Sequence, residues 1–123
     1  MKINVATARI TGLAKPFYYF EHRDSYVFDI MFEDTSTLMF KNLPFIEVGE
    51  TEEEAISNYN KFLQNFENAN IHEGDDVAVI FEDDGCVRAI ARIGVNVWID
   101  VDDKFKMKSF EELGIDITLL KVW

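Results

Sequence analysis

Apolar and polar residues alternate most cleanly where Tyr26, Phe28, Ile30 and Phe32 interleave with Val27, Asp29, Met31 and Glu33. A period of two places every second side chain on one face, so this stretch predicts a strand with one aromatic face. Upstream, Ile3, Val5, Ala6, Ala8 and Ile10 predict a first strand that ends at Thr11-Gly12. Phe17-Tyr18-Tyr19-Phe20 follows Pro16, is too short and too aromatic for a helix, and runs into the turn residues Glu21-His22-Arg23-Asp24. It predicts a second strand. Asp34-Thr35-Ser36 makes a tight connection to a fourth strand over Thr37 to Phe40, and Asn42 with Pro44 interrupts before Phe45-Ile46. The first half therefore reads as an antiparallel meander.

The period then changes. Thr51-Glu52-Glu53-Glu54 is a capping box, in which the threonine hydroxyl accepts the amide of the third helical residue and Glu54 reaches back. A helix is predicted to begin at Glu52 and to run to about Asn68, with Ala55, Ile56, Tyr59, Phe62, Leu63 and Phe66 forming one apolar stripe. Beyond Gly74, Val77 to Phe81 is a β-branched run, Asp83-Asp84-Gly85 is a hairpin turn signal, and Cys86 to Ile93 is the return strand. Gly94 separates it from another strand, Val95 to Val101. A second capping box, Ser109-Phe110-Glu111-Glu112, opens a single helical turn closed by Gly114, and Ile115 to Val122 reads as a last strand. The fold class expected is α+β: an antiparallel β-sheet of about seven to eight strands, in the order ββββ-α-βββ-α-β, against one amphipathic helix.

A chain of 123 residues with 48% hydrophobic residues and eleven phenylalanines fits one packed domain over residues 1–123, without internal repeats or linkers. Its one cysteine, Cys86, excludes an internal disulfide and suits a reducing compartment. Met1-Lys2 is not followed by a continuous apolar run, and no stretch approaches the roughly 20 apolar residues that span a bilayer. A cytoplasmic location is the expectation.

Charge changes the picture more than composition does. Between Glu47 and Asp84 twelve acidic residues accompany one base, Lys61, so this third of the chain carries the entire net charge of -11. Binding nucleic acid directly requires Lys and Arg to displace condensed counterions, and anionic membranes make the same demand; neither is an expected ligand.

Candidate chemistry is sparse. His22 and His72 fall in predicted connections, and neither has the sequence context of a nucleophile's base, so no catalytic residues are assigned and the protein is expected not to be an enzyme. Cys86, beside a hairpin turn, reads as a small hydrophobe. Asp100, Asp102, Asp103 and Glu111 partly match a calcium loop, but Lys104 and Phe105 occupy positions that need an oxygen ligand and a glycine, and no metal is expected. The glycines are spread one per connection, so no phosphate-cradling loop exists and no cofactor is expected.

Two surfaces remain. Glu52, Glu53 and Glu54 have a local reason, the positive end of the helix dipole, but Glu50, Glu73, Asp75, Asp76, Glu82, Asp83 and Asp84 lie outside that first turn. Concentrating like charge costs stability through self-repulsion, which points to a partner with a basic surface. Phe17 to Phe20 is the second, since rings on a strand must project to both sides and Tyr18 and Tyr19 suit an interface. In size, acidity and compact α+β pattern the chain resembles, as a class, small acidic inhibitors of phages and mobile elements, including anti-CRISPR and anti-restriction proteins. That resemblance implies a non-enzymatic inhibitor whose acidic residues 47–84 occupy a nucleic-acid-binding surface. The partner-binding residues expected are Glu50, Glu53, Glu73, Asp75, Asp76, Glu82, Asp83, Asp84, Tyr18 and Tyr19. The alternative is an adaptor that binds a protein through its aromatic strand or sheet edge.

Overall fold

The computed structural model describes residues 3–12, 17–34 and 44–114. Over these the chain forms β1 (Ile3–Gly12), β2 (Tyr18–Phe20), β3 (Ser25–Asp29), β4 (Met31–Asp34), β5 (Phe45–Gly49), α1 (Glu52–Asn68), β6 (Asp76–Glu82), β7 (Val87–Arg92), β8 (Trp98–Asp100) and β9 (Lys106–Lys108). The class is α+β with antiparallel sheets and a helix. The strands do not form one sheet, however: six pair in the order β4-β1-β6-β7-β8-β9, and three pair separately as β2-β3-β5.

The division falls inside the stretch that alternates most cleanly. Tyr26 and Phe28 lie on β3 in the small sheet, whereas β4 pairs with β1 in the large one. The break is at Ile30, which is buried. By changing sheets there, the chain lets Phe28 lie edge-on to Phe62 of α1, ring centroids 5.1 Å apart, while Ile30 enters the same core. A single straight strand could not serve two sheets.

That core fills the space between the sheets and α1. Ala6, Ile10, Val77, Val79, Phe81 and Ile90 enter it from the large sheet, Phe28, Ile46 and Val48 from the small one, and Ala55, Phe62 and Phe66 from the helix. The alternate residues of β6, Ala78 and Ile80, join Val5, Ala89, Ala91 and Trp98 on the opposite face of the large sheet. Burial on both faces is why β6 reads as an unbroken apolar run and not as an alternation. On α1 the predicted stripe holds for Ala55, Phe62 and Phe66, with Tyr59 and Leu63 partly buried, but Ile56 is 48% exposed.

Two further expectations change. The second α of the predicted order does not count as a helix: Ser109 and Glu112 exchange their capping hydrogen bonds, at 3.1 and 3.3 Å, and residues 110–114 make the single turn expected, without the length of a helix. Gly114 follows too soon for a nucleated turn to propagate. The strand expected over Val95 to Val101 is confined to β8, and β9, a Lys-Met-Lys segment, adds an edge strand that its charges concealed. The partial calcium match is occupied by the chain itself. Lys108 Nζ lies 3.0 Å from Asp100 and 2.7 Å from Asp103, and Asp100 Oδ1 accepts the amides of Asp102 and Asp103. The strands expected over Thr37 to Phe40 and Ile115 to Val122 lie outside the described residues.

Candidate functional site

The start of α1 is brought to the small sheet by a glycine. Gly49 ends β5 at φ +150°, and a Cβ there would stand 2.6 Å from Glu54 Cβ, so only a residue without one lets the strand turn straight into the helix. Thr51 Oγ then accepts the Glu54 amide at 3.2 Å, and Asn58 donates to the Val48 carbonyl at 2.8 Å, tying the first two turns to β5. Glu50, Glu52, Glu53 and Glu54 are displayed there, all exposed.

At its other end β5 is tied to the β6–β7 hairpin, since the Phe45 amide donates to the Gly85 carbonyl at 3.0 Å and Phe45 bridges Cys86. Arg23, from the β2–β3 turn, reaches across this junction. Its Nε donates to Glu47 at 2.6 Å, its Nη1 lies 2.6 Å from Asp84, and its guanidinium sits 5.7 Å from the Phe45 ring centroid. Arg88 likewise joins Glu82, at 2.9 Å, to Asp102. Between the hairpin, α1 and the loop before β9 lies a cleft of about 290 Å³, lined by Arg23, Glu47, Glu54, Asn58, Cys86, Arg88, Asp102 and Lys104 among others. Lys104 and its neighbour Phe105 both adopt positive φ, at 52° and 63°. This costly conformation is held by the burial of Phe105 in the core and by Asn65, whose side-chain amide donates to the Phe105 carbonyl.

The predicted partner-binding residues separate into groups. Glu50 and Glu53 stand at the helix start with no ion pair among the described residues, as does Glu52. Glu82, Asp83 and Asp84 share the hairpin, but they are engaged: Glu82 with Arg88, Asp83 with the Asn4 side-chain amide at 2.7 Å, and Asp84 with Arg23 and the Cys86 amide. Glu73, Asp75 and Asp76 are at the opposite end of β6. There Asp76 pairs with Arg9 at 3.1 Å, and Asp75 accepts the His72 amide at 2.7 Å. Tyr18 and Tyr19 are on β2, at the edge of the small sheet, 44% and 45% exposed. Arg23, Arg88 and Lys104 are cleft residues that sequence reasoning missed. Nothing local distinguishes an arginine in a turn from one that crosses to a second sheet.

Burial pushes the Cys86 thiol well above its ordinary value and the Glu47 carboxylate adds to this, with Arg23 opposing. Neither histidine reaches it: His22 stacks edge-on against Phe20, and His72 lies beside Glu67 and Asp75. Among the described residues no three His, Cys, Asp or Glu converge to hold a metal ion, and no helix is long and apolar enough to cross a membrane. Comparison with protein-family models, curated proteins and solved structures gives no match.

Proposed function

We propose that this chain is a non-enzymatic inhibitor, of the anti-CRISPR or anti-restriction type, that occupies a basic nucleic-acid-binding surface with the acidic end of α1. The observation that carries this reading is the contrast between two neighbouring sets of carboxylates. Two of the hairpin's three carboxylates are ion-paired, Glu82 with Arg88 and Asp84 with Arg23, and Asp83 accepts from Asn4, whereas Glu50, Glu52 and Glu53 are exposed without a cation among the described residues. The helix dipole offsets only part of their mutual repulsion, by about 0.3–1 kcal/mol per charge at an exposed site. Duplex nucleic acid carries one charge per about 3.4 Å along each strand, so closely spaced, unneutralised carboxylates suit a groove shaped for phosphates. The reading narrows the surface from the whole of residues 47–84 to the helix start. Glu82 and Asp84 support the fold there, and Glu73, Asp75 and Asp76 face elsewhere.

The test is capture from host lysate on the immobilised chain, with Glu50→Gln/Glu52→Gln/Glu53→Gln as control and duplex DNA as competitor. A nucleic-acid-handling protein retained by the wild type, lost with the triple variant and released by DNA is the expected result. Retention by both chains, or indifference to DNA, would oppose the reading.

A further inference from the structure

β2 ends the small sheet, beside β3 on one side and without a strand partner on the other among the described residues. In an antiparallel pair, alternate residues turn their N–H and C=O groups away from the partner strand, so the outer side of β2 presents backbone that another strand can meet. Successive side chains leave a strand on opposite faces, which places Tyr18 on one side of the edge and Tyr19 on the other.

Each of these exposed rings is tied to a carboxylate. The Tyr18 hydroxyl donates to Asp29 Oδ1 at 3.1 Å, and the Tyr19 hydroxyl donates to Asp24. Both hydroxyls stay protonated to a higher pH than usual, Tyr18 through partial burial and then its bond to Asp29, Tyr19 chiefly through its bond to Asp24. Neither Asp24 nor Asp29 has a cationic partner among the described residues, although Arg23 lies next to Asp24 in sequence and is turned to Glu47 and Asp84 instead. A tyrosine hydroxyl uses one acceptor position of a carboxylate and leaves the rest, with its charge, open. Ring face plus open carboxylate is a receptor for a guanidinium, which stacks on the ring within about 6 Å of its centroid while donating to the oxygens.

We propose that β2 is a docking edge for an extended segment of a partner protein bearing two consecutive arginines. A strand added to β2 projects its own neighbouring side chains to opposite faces, so adjacent arginines meet Tyr18 with Asp29 on one side and Tyr19 with Asp24 on the other. The backbone supplies affinity and the two cation sites supply selection. The edge is one strand removed from the helix start, since Tyr19 pairs with Tyr26 and Tyr26 with Gly49, and the two proposals rest on different residues.

The test uses the isotope-labelled full chain and two synthetic nonapeptides of threonine and valine, one with a central Arg-Arg and the other with Gln-Gln, followed by amide NMR. The expected result is binding of the Arg-Arg peptide with shifts centred on Tyr18 to Phe20, and binding of the Gln-Gln peptide at least tenfold weaker. Asp24→Asn/Asp29→Asn should weaken the Arg-Arg peptide by at least tenfold. The change keeps an acceptor for each hydroxyl, and asparagine tolerates the positive φ of Asp24, so unchanged amide shifts elsewhere will show an intact fold. At physiological salt Glu50→Gln/Glu52→Gln/Glu53→Gln should weaken the peptide far less than the aspartate changes do, because it removes only long-range charge and no contact. No binding of the Arg-Arg peptide, equal binding of both peptides, indifference to the aspartate changes, or shifts centred on Glu50 to Glu54 would each overturn the proposal.

Discussion

Arg23 illustrates how much one side chain can organise. It lies in a four-residue turn between β2 and β3, yet it holds Glu47 of β5 and Asp84 of the hairpin while its guanidinium covers Phe45. Beneath it Cys86 is 4% exposed, with Sγ 3.8 Å from Glu47 Oε1. A raised thiol pKa lowers the thiolate fraction, and the thiolate is the species that reacts. Alkylation of Cys86 by iodoacetamide at pH 8 should therefore be at least about tenfold slower in the folded chain than in urea, where the thiol returns to its ordinary range. Equal rates would mean that the thiol is neither covered nor perturbed. The type of residue was legible here, since a lone cysteine beside a hairpin reads as a small hydrophobe. Its neighbours were not, because Arg23 and Cys86 are sixty-three positions apart and meet only through the pairing of β5 with the hairpin.

Among the elements, α1 was the most legible because two independent signals agreed: the capping box at Thr51 and a three-to-four-residue period. The predicted bounds, Glu52 to about Asn68, are those observed. The stripe was read one residue too wide. Phe62 is fully buried between Phe28, Phe66 and Phe105, whereas Ile56 faces outward. Phe62→Ala should cost about 3–5 kcal/mol in a urea titration, the usual range for emptying a buried aromatic site, and Ile56→Ala well under about 1 kcal/mol. Similar losses at both positions would place the helix in the wrong phase. The passage from β3 to β4 was not legible for the opposite reason: alternation continues unbroken from Tyr26 to Glu33 while the chain changes sheets at Ile30. Period reports which residues share a face and says nothing of which sheet receives them. The capping box at Ser109 forms its hydrogen bonds and the single turn read from it, so only its place in the element order as a second helix differs.

At the scale of the molecule, the concentration of charge in residues 47–84 was visible in the sequence, but its distribution in space was not. β6 carries Asp76 to one end and Glu82 to the other, so acids that are close in sequence point to separate regions. Arginines from outside the segment, Arg9, Arg23 and Arg88 among them, neutralise part of the set. Reversing Glu82, Asp83 and Asp84 would therefore disturb the fold along with the charge. At the helix start, charge at Glu50, Glu52 and Glu53 can be changed without removing an ion pair among the described residues. The central claim is that these carboxylates act on encounter with a basic partner, and long-range charge alters association rates by up to about 10 to 10³-fold at low salt. The most direct measurement is the association rate of the captured partner with the wild type and with Glu50→Gln/Glu52→Gln/Glu53→Gln at two ionic strengths. The account predicts fast, steeply salt-dependent association for the wild type, and a slower, flatter dependence for the variant with dissociation changed much less. Identical association rates for the two chains at low salt would contradict it.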